Sequence, residues 1–146
     1  MKFDNKKFRQ LWQDLQTEEK CDDVKKSCYN KNINDLNAVA NFGIAHHKIG
    51  YIKQSQNKDC IAEWHFWMAE NCYNKCCQLQ ANLIDILAAC ADANRCMGNY
   101  DKANEHIKNV KDIDPNYFND LDAIINRTDE KIKSYIAETI HPKVPK

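Results

Sequence analysis

The sequence predicts an all-α fold, and three observations predict it. Only 3 Gly and 3 Pro interrupt 146 residues, so helix breakers are scarce. Lys, Asn, Ala, Leu and Ile are abundant, a composition that suits helices better than strands. Apolar residues recur at the three- and four-residue spacing of a helix face, as in Phe8, Leu11, Trp12 and Leu15. A hydrophobic content of 43% at this length suits one domain with a single core, drawn here over residues 1–140 with a tail at 141–146.

Each element follows from local signals. Asp4 is a candidate N-cap and Phe3 can staple onto Phe8, giving a helix over about 5–19. A short second helix carries Val24 and Cys28, and the "NKNIND" stretch supplies the next start. Leu36, Val39, Ala40, Gly43, Ala45 and Ile49 place a helix over about 34–54. The aromatic run around Trp64, Phe66, Trp67 and Tyr73 belongs to a helix over about 58–78. Leu83, Leu87, Ala88 and Ala91 give one over about 81–97, broken by "MGNYD", and a sixth covers about 100–113. Asp114-Pro115 starts a seventh, over about 115–140, because Pro at a first helical position loses no useful donor.

Charge narrows the functional classes. Lys+Arg and Asp+Glu both total 21, so no basic excess marks a nucleic-acid binder. Arg is confined to Arg9, Arg95 and Arg127. No run approaches about 18 uncharged apolar residues, and the opening "MKFDNKKFRQLWQDL" lacks the apolar centre of a signal peptide. The expectation is an intracellular protein in a reducing compartment, with its 8 Cys acting as small apolar residues.

Residues 84–117 carry Ala91, Gly98, Tyr100, Ala103, Ile107, Val110 and Pro115 at the spacing of a tetratricopeptide repeat, and the segment resembles that family. Leu87 stands where the family usually has a large aromatic residue. A sibling copy lies upstream, over about 36–75. Gly43 and Gly50 repeat the separation of Ala91 and Gly98, and Ala62, Phe66 and Ala69 repeat that of Ala103, Ile107 and Val110. The upstream copy is lengthened between Gly50 and Ala62, which predicts longer helices there. The resemblance implies a right-handed superhelical stack of antiparallel helix pairs, closed by N-terminal and C-terminal capping helices.

In that family the first helix of each pair lines a concave groove. Carried over, the lining residues are Asn37, Asn41, Ile44, His47 and Lys48, then Asp85, Ala88, Ala89, Asp92 and Arg95. The polar members could bond a peptide backbone or a carboxylate. Ala40 and Ile44 occupy the places where the co-chaperone branch clamps a carboxylate, so no such clamp is expected. Trp64 and Trp67 cannot both share the face of Phe66, which makes them candidate anchors on an outer face.

No phosphate loop, metalloprotease motif or nucleophile elbow occurs. The expectation is no enzyme, no cofactor and no metal, and a non-enzymatic scaffold or adaptor subunit of a larger eukaryotic assembly, ciliary, mitochondrial or cytosolic. Its partners would be proteins, without nucleic acid or membrane insertion. The alternative is a thiol or zinc protein using Cys72, Cys76, Cys77 and His65 on one helix. A Cys77–Cys90 disulfide, catalysis by His46-His47 and use of the sequon at Asn126 rank below these.

Overall fold

The computed structural model describes residues 2–32 and 34–117, and among them six helices and no strand. Helix α1, Asn5–Asp14, opens where the Asp4 carboxylate accepts from the Lys7 amide at 3.0 Å. The Phe3 and Phe8 rings lie 5.5 Å apart, a hydrophobic staple across that cap. The helix stops short of the predicted residue 19. Leu15 leaves helical geometry, and Thr17 becomes the N-cap of α2, Glu18–Cys28, accepting from the Lys20 amide. A Thr hydroxyl serves an exposed helix start better than it serves a helix interior. Glu18 and Glu19 in the first turn and Lys25 and Lys26 in the last then oppose the helix dipole.

Four longer helices follow: α3 Leu36–Ser55, α4 Asp59–Leu79, α5 Ile84–Cys96 and α6 Tyr100–Ile113. Asp35 caps α3 through the Ala38 amide at 3.2 Å. The lengthened upstream pair is evident, with 20 and 21 residues against 13 and 14 in the downstream pair. Gly98 ends α5 at φ +81°, a left-handed conformation that glycine adopts without strain. The helix predicted over about 115–140 and the tail lie outside the described residues beyond Tyr117.

Helix α3 is the centre of the packing. Helix α4 runs antiparallel along it, and α2 does so on another side. The Glu18–Lys53 ion pair at 2.6 Å marks one end of the α2 contact, and the Tyr29–Phe42 ring contact at 5.9 Å marks the other. Two glycines set the α3–α4 separation. A Cβ on Gly43 would lie 2.9 Å from the Tyr73 ring, and one on Gly50 would lie 2.6 Å from the Phe66 ring. Both rings are buried, so neither has space to retreat. Helix α5 is buried nearly all round, with Ala88, Ala89, Ala91 and Ala93 letting its neighbours close in.

Gly50→Ala weighs two opposed effects. Alanine gains about 1 kcal/mol of helix propensity, whereas overpacking a full core costs about 1–3 kcal/mol. A contact of 2.6 Å on a ring that cannot move decides for the second. Denaturant melts should show Gly50→Ala less stable than the parent chain.

Candidate functional site

Of the polar residues expected along a groove, His47, Asp92 and Arg95 meet in a buried network that joins α3, α4 and α5 beneath α1. Its centre is Asp92 on α5, fully buried. The carboxylate accepts from His47 Nε2 at 2.7 Å, from the Tyr51 hydroxyl, and from Arg95 Nη2 and Nε at 2.8 and 3.2 Å. His47 and Tyr51 stand one helical turn apart on α3, so they reach the same carboxylate side by side. The other nitrogen of His47, Nδ1, lies 2.8 Å from the Tyr73 hydroxyl on α4.

This geometry fixes the protonation states. Burial lowers the pKa of His47, so the imidazole is neutral. Its one proton sits on Nε2, toward the carboxylate, and Tyr73 therefore donates to Nδ1. Burial alone would raise Asp92, but the His47 N–H, the Arg95 charge and the Tyr51 hydroxyl together hold it below the usual carboxylate value. The ion pair in the network is thus Asp92 with Arg95.

Helix α1 lies over this network. The Trp12 ring meets His47 edge-on at 4.8 Å and Tyr51 at 6.2 Å, and the Lys48 ammonium sits 4.5 Å from the Trp12 ring centroid. Arg9 grips Asp85 on α5 through two hydrogen bonds, at 2.9 and 3.1 Å, and the Tyr117 hydroxyl donates to the same carboxylate. Nearer the start of α3, Asn37 accepts from the Asp4 amide at 3.0 Å and donates to the Lys2 carbonyl at 3.1 Å. Asn41 is half-buried.

Asn37, His47, Lys48, Asp85, Asp92 and Arg95 are therefore engaged by the chain itself, and a partner peptide reaching their shared face would have to displace α1. Arg9, Trp12, Tyr51, Tyr73 and Tyr117 complete the arrangement and were not singled out from sequence. One signal was available: Arg9 and Arg95 are two of only three Arg in a Lys-rich chain, and a rigid guanidinium suits two-point pairing with a carboxylate.

A second histidine contact lies about 100° around α3, from the neighbouring residue. His46 Nδ1 and His65 Nδ1 are 2.9 Å apart, and Phe42 and Trp64 flank His46 at 4.7 and 5.6 Å between centroids. Trp64 and Trp67 are 51% and 50% exposed, and Ile61, one turn earlier on α4, is 47% exposed. This is an apolar outer face without a covering element among the described residues.

The eight cysteines are free thiols, Cys77 and Cys90 included. Burial pushes Cys21 up to about 11 and Cys72 and Cys76 up to about 12, and it raises Cys28, Cys77 and Cys90 as well. Such thiols stay protonated and are poor nucleophiles. Among the described residues, no group of three or more His, Cys, Asp or Glu is placed to hold a metal ion. Nor is any described helix long and apolar enough to cross a membrane. Comparison with family models, with curated proteins and with solved structures finds no match in any of the three.

The four described histidines set the acid response. Burial lowers the pKa of His46 to about 3 and lowers those of His47, His65 and His106. The unfolded chain takes up these protons near 6.5, while the folded chain refuses them until lower pH. Stability is then full above 6.5 and declines as pH falls below it. Asp92 adds a contribution present above 3.8 and lost as pH falls below that value through its lowered folded one. Melting temperatures from pH 8 to 3 should therefore be flat above neutrality and fall steadily below pH 6.5. A maximum near pH 5 would contradict this assignment.

Proposed function

We propose that the protein is a non-enzymatic interaction module, a small tetratricopeptide-like scaffold or adaptor subunit of a larger protein assembly in a reducing compartment. The observation that carries the reading is the pairing of a covered face with an open one. The α3–α5 side is occupied by α1 and by polar groups that satisfy one another. The outer side of α4 instead presents Ile61, Trp64 and Trp67 half-exposed in consecutive turns. Half-exposed tryptophans grouped on a rigid helix are the usual material of binding hot spots. The docking surface in this reading is the outer face, and the groove residues serve to seat α1.

The repeat-like stack itself is part of the proposal. It is supported by the antiparallel α3–α4 pair with glycines at the close approach, and by the burial of Phe66, Ala69, Ala103, Ile107 and Val110 at the matched positions. The Tyr73–His47–Asp92 chain resembles a proton relay, but every member is fully buried, so no substrate reaches it. The raised thiols of Cys72, Cys76 and Cys77 weigh against thiol chemistry, and the lack of a three-ligand group among the described residues weighs against zinc. A ciliary, mitochondrial or cytosolic assembly is equally compatible with these features.

Trp67→Ala is the cleaner test, since Trp64 also contacts His46 and His65. The variant should melt close to the parent chain yet weaken capture of the partner assembly by about 2 kcal/mol, roughly thirtyfold. Because the chain carries no net charge, capture should change little between low and high salt. Loss of binding only in step with loss of stability would place Trp67 in the core and remove the outer-face reading.

A further inference from the structure

A second feature lies where α2 ends against α3 and α4. Here the packing leaves an open cavity of about 360 Å³, within the range of small-molecule sites. Its walls are apolar: Val39 and Phe42 from α3, Cys28 from the end of α2, and Cys72 from α4. Tyr29, 63% exposed, stands at the mouth with its ring against Phe42 at 5.9 Å. The two thiols are part of the apolar wall, since burial keeps both protonated.

The rim has one sign of charge. Lys31 and Lys75 are its only charged lining groups among the described residues, and the other polar side chains there are neutral: the amides of Asn32 and Asn71 and the Tyr29 hydroxyl. Asp35, an acid whose charge reaches Cys28, is not among the lining residues and caps α3 through the Ala38 amide. An apolar slot with two ammonium groups at its mouth favours a ligand with an apolar body and one anionic end. A cationic end would meet two like charges, and a fully polar ligand would leave the slot unfilled. The cavity has the liquid volume of about a dozen waters, room for a chain of about ten carbons.

We propose that this cavity is a binding site for a medium-chain carboxylate, with the chain between Phe42 and Cys72 and the carboxylate between Lys31 and Lys75. The shape follows from the fold. Absence of a side chain on Gly43 brings Tyr73 and Cys72 against α3. Helix α2 ends at Cys28, so the slot between α3 and α4 stays open beyond it.

The test uses the full chain and sodium decanoate below its micelle concentration, followed by amide and side-chain NMR. Saturable shifts centred on residues 28–32, 38–42 and 71–75 are expected. Decyltrimethylammonium, with the same tail and the opposite charge, should bind at least about tenfold more weakly. Lys31→Glu with Lys75→Glu should lower decanoate affinity by a similar factor at unchanged melting temperature, and the milder Lys75→Gln should fall between. The proposal is overturned by equal binding of the two amphiphiles, by shifts centred on the Trp64 and Trp67 indoles, or by no saturation.

Discussion

Asp92 is the constraint on which the rest of the structure depends. A carboxylate removed from water is destabilising by several kcal/mol unless donors surround it, and this one lies in the middle of the molecule. Its donors come from two helices: His47 and Tyr51 on α3, and Arg95 on α5 itself. The requirement then propagates. His47 must point Nε2–H inward, so its other nitrogen needs a donor, and Tyr73 on α4 supplies one. The imidazole must also be shielded from water, and Trp12 on α1 closes over it. Four helices are thus fixed in position by the needs of one anion.

The network sits within packing that leaves little slack. Gly43 and Gly50 bring α4 close enough for Tyr73 to reach His47, and the alanines of α5 let that helix lie among its neighbours. Helix α1 is held at both ends, by Asn37 near its start and by Trp12 near its end, with Arg9 bonded across to Asp85 between them. A face organised this tightly is poorly suited to receiving a ligand. Among the described residues, the outer face of α4 and the slot beside α2 group exposed apolar side chains, which is why binding is proposed there.

Much of the fold was legible in the sequence. Caps such as Asp4 and Asp35, the scarcity of breakers and the three- and four-residue apolar spacing place helices directly, and α6 begins and ends where the pattern puts it. Ends set by competition were less legible: the apolar spacing continues through Leu15, but the Thr17 cap claims the chain for α2. The site was read in part. The grouping of His47, Asp85, Asp92 and Arg95 came from the resemblance to a repeat whose first helices line a groove, not from local spacing alone. Their burial was not legible, since it depends on α1 crossing over them, and no local pattern encodes where a separate helix will dock. Trp64 and Trp67 were legible because one helix face cannot bury both indoles together with Phe66.

The most direct test of the account is the protonation state of His47, read from imidazole ¹⁵N shifts in long-range NMR spectra between pH 8 and 5. A neutral ring with its proton on Nε2 is expected from pH 8 down through the ordinary imidazole value near 6.5, coupled to a Tyr73 hydroxyl slow to exchange. A ring that becomes imidazolium near its ordinary pKa, or that carries its proton on Nδ1, would mean that Asp92 is not held as described and that the α3–α5 face is open to water.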